Sequence, residues 1–481
     1  MTAIMRRSLN KALWLFVHKI PWKPLLIWGP WVVLVLVAAF YFVENWRGQR
    51  AWDQAQQDLR AARVSLDLQS YVPERPPGAI DPTTLPGLDG TRTKSLKLLI
   101  YQRHAGLNHT STGREAARRD HNRWQAQPRD IVQWLDPAKG ISDPQEAATE
   151  LDKILTSEFG TTLAKLRSHD PSQPLVFSLE DPERELLGQM NQYLKYFSSL
   201  HGLGEVLSDD TALALAHNDA ERAFANLRWQ ISIINSAHFP TLLSVLYQFS
   251  CIQFLEISLW EAVISQQLDL DQLEVLNAEL SKISLPNNFA NSLKGELAFF
   301  LAHPESEQII VPYMPGWNDL GKASVFFQTH DLAETVATEP LHHLRSYQYP
   351  RSKARFPGDF FAPSYNSPFL KAATKLMKAE VLLRLARLGI ALEIHRHKQG
   401  HYPATLAELD FPTLLDPYTG KPFHYQRKAD GSPWLWSIGP DGKDDGGTPA
   451  KMDQGDLVWM TTPIAGLTEK EWKRRTWRRS H

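Results

Sequence analysis

The chain has 481 residues, 43% hydrophobic and 22% charged, with 52 Lys+Arg set against 53 Asp+Glu. That length suits two or three domains rather than one, and the near-neutral balance excludes a global basic field for nucleic acid. The single cysteine, Cys251, excludes an intrachain disulfide; within the apolar run 246–252 it reads as a small buried hydrophobe, not a nucleophile.

Arg6, Arg7, Lys11, Lys19 and Lys23 precede an uncharged, largely apolar run over residues 25–43. At about 1.5 Å per residue such a helix reaches roughly 28 Å, enough to cross a bilayer core. Trp22, Trp28, Trp31, Tyr41 and Trp46 flank its ends as interfacial aromatics do. Gly29 and Pro30 predict a kink near its start. Arg47, Arg50, Arg60 and Arg63 follow the run, so the basic asymmetry across it is small. A basic segment leading into an apolar run still favours residues 1–24 in the cytoplasm and the bulk outside. The expected location is the bacterial inner membrane, single-pass, with an extracytoplasmic (periplasmic) body. A cleaved signal peptide is the alternative, but Ala38-Ala39-Phe40 offers no clear small-x-small site. Leu9, Leu13, Phe16, Val17 and Ile20 recur at helical spacing and suit an amphipathic helix on the inner surface, or an ordinary flank.

Residues 44–142 read as a juxtamembrane helix over 52–69 and then an irregular linker, rich in Pro and Gly over 73–90 and polar over 106–123. A helical domain follows over 143–303. Apolar stripes predict helices at 146–167, 182–207, 219–236, 270–280 and 287–302, and a helix apolar on most sides at 240–267 predicts a central buried element. The Ala-rich phrase 213–220 resembles a turn of a tetratricopeptide-like repeat, without a strict 34-residue period; a non-repeating bundle of helical hairpins is the other reading. Residues 304–367 hold many prolines and aromatics, including Trp317 and Phe360-Phe361. They read as an irregular segment that packs between domains or lines a groove for an extended ligand.

Residues 368–461 read as a small α+β domain. A long helix over 369–397 ends at Gly400, with Tyr402-Pro403 as the stop. A short helix, an Asp416-Pro417…Gly420 turn and two strands at 423–426 and 434–438 follow, joined at Asp430-Gly431. A third strand is expected at 456–460. Residues 462–481 form a basic tail with Trp472 and Trp477, read as solvated, or able to touch anionic lipid or wall polymer. The predicted fold class is thus mainly α, in helical hairpins, with a small C-terminal α+β module and one N-terminal transmembrane helix.

In order, the long helix, Gly400-His401-Tyr402-Pro403, Asp416-Pro417-Tyr418-Thr419-Gly420-Lys421-Pro422 and Ser437-Ile438-Gly439-Pro440-Asp441-Gly442 resemble the soluble part of type II secretion major pseudopilins. The likeness covers about 90 residues. The chain as a whole is similar to envelope proteins of planctomycete and verrucomicrobial type, a class without a known activity. The pseudopilin resemblance implies a calcium loop after the last phrase, and Asp441 matches the family's Asp-Gly position. Asp441, Asp453 and Asp456 are the candidate Ca²⁺ ligands, with Asp444 and Asp445 nearby; hard oxygens on a Gly-rich loop suit this ion. A solvated acidic turn is the alternative. The loop departs from the family in spacing over 446–454, and Lys443 breaks an EF-hand pattern. The helix is not N-terminal, and the leader-peptidase motif is absent at residues 25–43, so processing and polymerisation as a pilin are not expected.

No serine-nucleophile elbow, phosphate loop or dinucleotide fingerprint occurs. His395 and His397 diverge by about 200° on a helix and cannot share a metal there. Two functions follow as expectations. One is a structural or interaction protein of the cell envelope, with protein partners there and a possible link to a secretion or pilus-like system. The other is an envelope-polymer hydrolase with its site in 304–367.

Overall fold

The computed structural model describes residues 22–65, 70, 77–81, 84–85, 129, 131–135, 140–176, 186–236, 241–302, 314–351, 358–448 and 455–460. The amphipathic stretch 9–20, the polar run 106–123, residues 304–313, Asp453 and the basic tail lie outside them. The chain divides into two compact units. The first draws on 1–64, 303–328 and 349–366, the second on 65–302, 329–348 and 367–481.

Unit 1 is organised by helix α1, Trp22–Ala61, which carries Pro30 inside it. The predicted apolar run and the separate helix at 52–69 are one continuous element. It ends at Ala61, not residue 69, with Arg63 just beyond at φ 56°. Ala, Gln and Arg between the two stretches are good helix formers, so nothing local breaks it. Over Ile27–Val43 the helix exposes large apolar side chains on all sides, Leu36 at 62% and Phe42 at 75%. Its length and composition are those of a membrane anchor or a signal sequence.

The later turns of α1 have a packed face. Ala51, Trp52 and Ala55 cover Leu320 and Ala323 of helix α8, Pro315–Thr338. Trp52 meets Phe326 edge-on at 5.1 Å. Here the structure corrects the sequence reading, which has 304–367 irregular. Pro315 sits at the first helical position, where no N–H is needed, so it starts a helix rather than breaking one. Helix α9, Gly358–Gln399, likewise begins well before the expected residue 369 and takes in Pro363 and Pro368. Tertiary bonds outweigh local propensity there. Buried Asn366 donates to the Gln328 side-chain carbonyl (2.9 Å), and the Tyr349 hydroxyl donates to the Asn366 carbonyl (2.6 Å).

Unit 2 holds helices α2 Pro144–Arg167, α3 Leu186–Ala216, α4 Ala220–Ser236, α5 Leu242–Ser265, α6 Leu270–Leu280 and α7 Leu285–Ala302. Helices α3, α4 and α5 pack on one another at the centre, with α2 against α3, α6 against α4 and α7 against α5. In α2, Asp143 caps the Glu146 amide (2.9 Å), and Leu151, Ile154, Leu155 and Leu166 face inward at helical spacing. Helix α6 opens with a capping box from Asp269 and Gln272. Helix α5 is long and apolar enough for a span by composition, yet more than half buried, as expected of a central element. The phrase 213–220 divides: Leu213–Ala216 end α3, and the turn falls at Asn218, φ 56°.

The remainder of α9 supports a three-stranded antiparallel sheet, β1 His424–Arg427, β2 Pro433–Ser437 and β3 Leu457–Met460, in the order β1-β2-β3. Gly389 of α9 leaves room for the Trp459 indole, which a Cβ at that position would strike. The turn phrases act as fasteners. Tyr402 donates its hydroxyl to buried Glu393 of α9, and the Tyr425 hydroxyl reaches the Pro403 carbonyl (2.8 Å). Asp416 accepts from the Tyr418 amide (2.8 Å) and the Ser437 hydroxyl (2.9 Å), joining the Asp-Pro turn to the end of β2.

Candidate functional site

The acidic loop connects β2 to β3. Asp441 accepts from the Lys443 amide (3.1 Å) with one oxygen and from the Gly455 amide (2.9 Å) with the other. Asp456 is fully buried; its Oδ2 accepts from the Gly447 amide (2.7 Å), while its Oδ1 is buried with no hydrogen-bond partner. Asp444 accepts from the Trp436 indole (3.0 Å) and the Gly446 amide (3.0 Å), and its other oxygen stands 3.5 Å from His424.

The fold thus brings two of the three predicted ligands to adjacent places, since Asp441 clasps the residue before Asp456. The third, Asp453, lies outside the described residues. Among the described residues no group of three or more His, Cys, Asp or Glu is disposed around a metal position. Burial pushes the Asp456 carboxyl up to about 6, against the pull of the Asp445 and Gly447 amides, and the Asp444 and Asp445 charges add to the rise. Asp444 itself is held low by the Gly446 amide and the Trp436 indole. Arg345 lies against Gly442 and donates to the Tyr418 carbonyl (3.4 Å), but forms no ion pair with a described loop aspartate. An orphaned, buried carboxylate oxygen beside further carboxylates fits a hard cation.

A second polar cluster, absent from the sequence reading, lies inside the helical bundle. Arg129 holds Glu261 of α5 through its backbone amide (2.6 Å) and its guanidinium (2.9 and 2.6 Å). The same guanidinium reaches Ser208 (2.9 Å) and Asp209 (3.5 Å) of α3. The next residue, Asp210, receives Arg167 of α2, Arg222 of α4 and the Asn226 amide (2.7 Å). Arg222 continues to Asp152 (2.6 Å), which also meets His217 (3.0 Å). Burial opposes the Arg222 charge, but Asp152 and Asp210 outweigh it and raise its pKa. The sequence signal for this cluster is the pair Asp209-Asp210 inside an apolar run; the partners carry no signal.

A third feature ties α1 to α8 within unit 1. The Gly316 amide donates to Asn45 Oδ1 (2.9 Å), and the Trp317 indole donates to Glu44 Oε2 (2.8 Å). A Cβ on Gly48 would collide with the Gly316 backbone, so the two helices meet there backbone to backbone. Arg47 pairs with Glu44 at 3.0 Å.

No protein-family model matches this chain, nor does any curated protein or solved structure.

Proposed function

We propose that this chain is a membrane-anchored, extracytoplasmic structural or interaction protein of the cell envelope, with protein partners there and a link to a secretion or pilus-like system. The observation that carries this reading is the change of character along α1. Its first half is apolar and exposed on all sides, and its second half is packed into unit 1, with Glu44 and Leu59 buried. A hydrocarbon solvent suits the first half. The lack of a clear small-x-small site at Ala38-Ala39-Phe40 supports an uncleaved anchor over a signal peptide.

The C-terminal module is read as pseudopilin-like, because its phrases join one another: Tyr402 to Glu393, and Asp416 to Ser437. The helical bundle is read as hairpins of tetratricopeptide-like kind that present a scaffold surface. In the loop, Asp456 and Asp441, together with Asp453, would hold Ca²⁺. The ion would supply charge compensation and pin the β2–β3 loop.

The described acids of 315–348 favour a scaffold over a hydrolase. Asp319 faces Lys322 (3.8 Å), Asp331 accepts from Tyr347 (2.8 Å), Glu334 pairs with Lys294 (2.8 Å) and Glu339 with His343 (3.2 Å). The deciding experiment is fractionation with a carbonate wash, combined with protease access to a C-terminal tag in spheroplasts. Retention in the membrane and cleavage from outside are expected. A soluble cytoplasmic protein would overturn the reading.

A further inference from the structure

Trp317 occupies two depths at once. Its ring meets Phe40 edge-on at 6.4 Å, inside the apolar stretch of α1, and its indole N–H bonds Glu44, the first charged residue past that stretch. Four residues of helix separate these contacts, about 6 Å along the axis. The Gly48–Gly316 contact and the Asn45–Gly316 bond fix this position, so the start of α8 is held beside the last turn of the apolar segment.

We propose that this corner of unit 1, from Met314 to Trp317, lies in the lipid–water interface as a second, non-spanning contact of the protein with its bilayer. The occupant is the headgroup region of the phospholipid leaflet on the side of the packed half of α1. The inference rests on the anchor reading above.

Three further observations carry it. First, the backbone donors of the corner from Pro315 onward need little water. Pro315 has none, the Gly316 amide goes to Asn45, and the Trp317 and Asn318 amides reach the Met314 carbonyl at 3.0 and 3.2 Å. A helix start with its donors satisfied tolerates a partly dehydrated environment that an ordinary one does not. Second, the carboxylate at this level is answered locally: Arg47 neutralises it at one oxygen and the indole N–H donates to the other. Third, the adjoining turns of α1 have headgroup chemistry. Trp46 is 54% exposed, and the Arg50 guanidinium lies over its ring at 5.3 Å. An aromatic body with a cation over its face suits the glycerol and phosphate layer.

The test uses the full chain in a Cys251→Ser background, in nanodiscs of phosphatidylglycerol and phosphatidylcholine. An environment-sensitive fluorophore is attached at Leu36→Cys or Pro315→Cys, and quenching by headgroup-attached and deep acyl-chain nitroxides is compared. The Leu36 probe should be quenched best by the deep nitroxide. The Pro315 probe should be quenched best by the headgroup nitroxide, to at least half the Leu36 level. Trp317→Ala should cut the Pro315 quenching at least twofold and leave Leu36 unchanged. A quenched Leu36 with Pro315 below one-tenth of it overturns this inference alone; an unquenched Leu36 overturns the anchor reading as well. Should Pro315→Cys fail to fold, Met314→Cys carries the same probe to the same criteria.

Discussion

The two acidic clusters of unit 2 are answered in opposite ways. Inside the helical bundle, Asp152, Asp209, Asp210 and Glu261 are met by the guanidinium groups of Arg129, Arg167 and Arg222. In the β2–β3 loop, the hydrogen bonds to Asp441 and Asp456 come from backbone amides alone, and one buried Asp456 oxygen is left without any. An amide offers a partial charge, a guanidinium a full one. The bundle therefore sets full positive charges against its carboxylates on folding, whereas the described loop offers its own only partial ones, and an external cation would supply the full charge. The first is architecture; the second is where a ligand has something to gain.

The comparison breaks most sharply at Arg129. Arg129→Ala leaves Glu261 buried with its principal cation gone, and should cost about 3–5 kcal/mol in urea denaturation. A cost under about 1 kcal/mol would mean that the cluster does not organise the bundle. Next is the bundle's other buried acid. Burial pushes the Glu256 carboxyl up to about 8, with Lys378 opposing the rise and Glu261 adding to it. The unfolded carboxyl titrates near 4.5. Between these values the native state keeps a proton that the unfolded state has lost. This group's contribution is thus full below the unfolded value and declines as pH rises toward the folded one. Glu256→Gln should flatten that decline and stabilise the protein near the upper end by on the order of 2 kcal/mol, read from denaturation midpoints across the range. An unchanged pH profile would show that Glu256 is not the titrating group.

The loop supplies the third and opposite effect. Ca²⁺ at 10–100 times the dissociation constant should stabilise the wild type by about 1–3 kcal/mol through linkage, read as a rise in melting temperature. The shift should vanish in Asp456→Asn, and its absence in the wild type at millimolar Ca²⁺ would retire the metal. The smallest effect sharpens the scale. Lys398 and Glu274 pair at 2.6 Å, but both are about half exposed. Lys398→Ala should cost under about 0.5 kcal/mol, and a larger loss would mean that surface pairs hold this fold more than solvent screening allows.

What the sequence discloses follows the range of the interaction. The stripe of α2, the helix α6 and the strands about Asp430-Gly431 all rest on contacts within a few residues, and each lies close to its expected place. The Arg129–Glu261 bond joins residues 132 apart, and the Gly316–Asn45 bond residues 271 apart. No local pattern announces either. The start of α9 was hidden for a related reason: Pro363 and Pro368 speak against a helix locally, and only the buried Asn366–Gln328 pair outvotes them. The acidic loop lies between these cases. Its residue types are plain in the sequence, but that Asp456 rather than Asp441 would hold the unanswered oxygen depends on burial, which only the fold supplies.

Helix α1 has a mechanical consequence. It is 40 residues long, and its last 18, Glu44 to Ala61, continue past the apolar stretch without a hinge. At about 1.5 Å per residue that is a stiff post of roughly 27 Å. A flexible tether would let the attached body tumble and sample partners from every direction. A post does not: under the anchor reading proposed above, any tilt or rotation of the helix in a bilayer would turn unit 1 with it, like a lever on a shaft. Neighbouring proteins would then meet the same face of unit 1 each time, and a pull on that unit would be felt in the membrane.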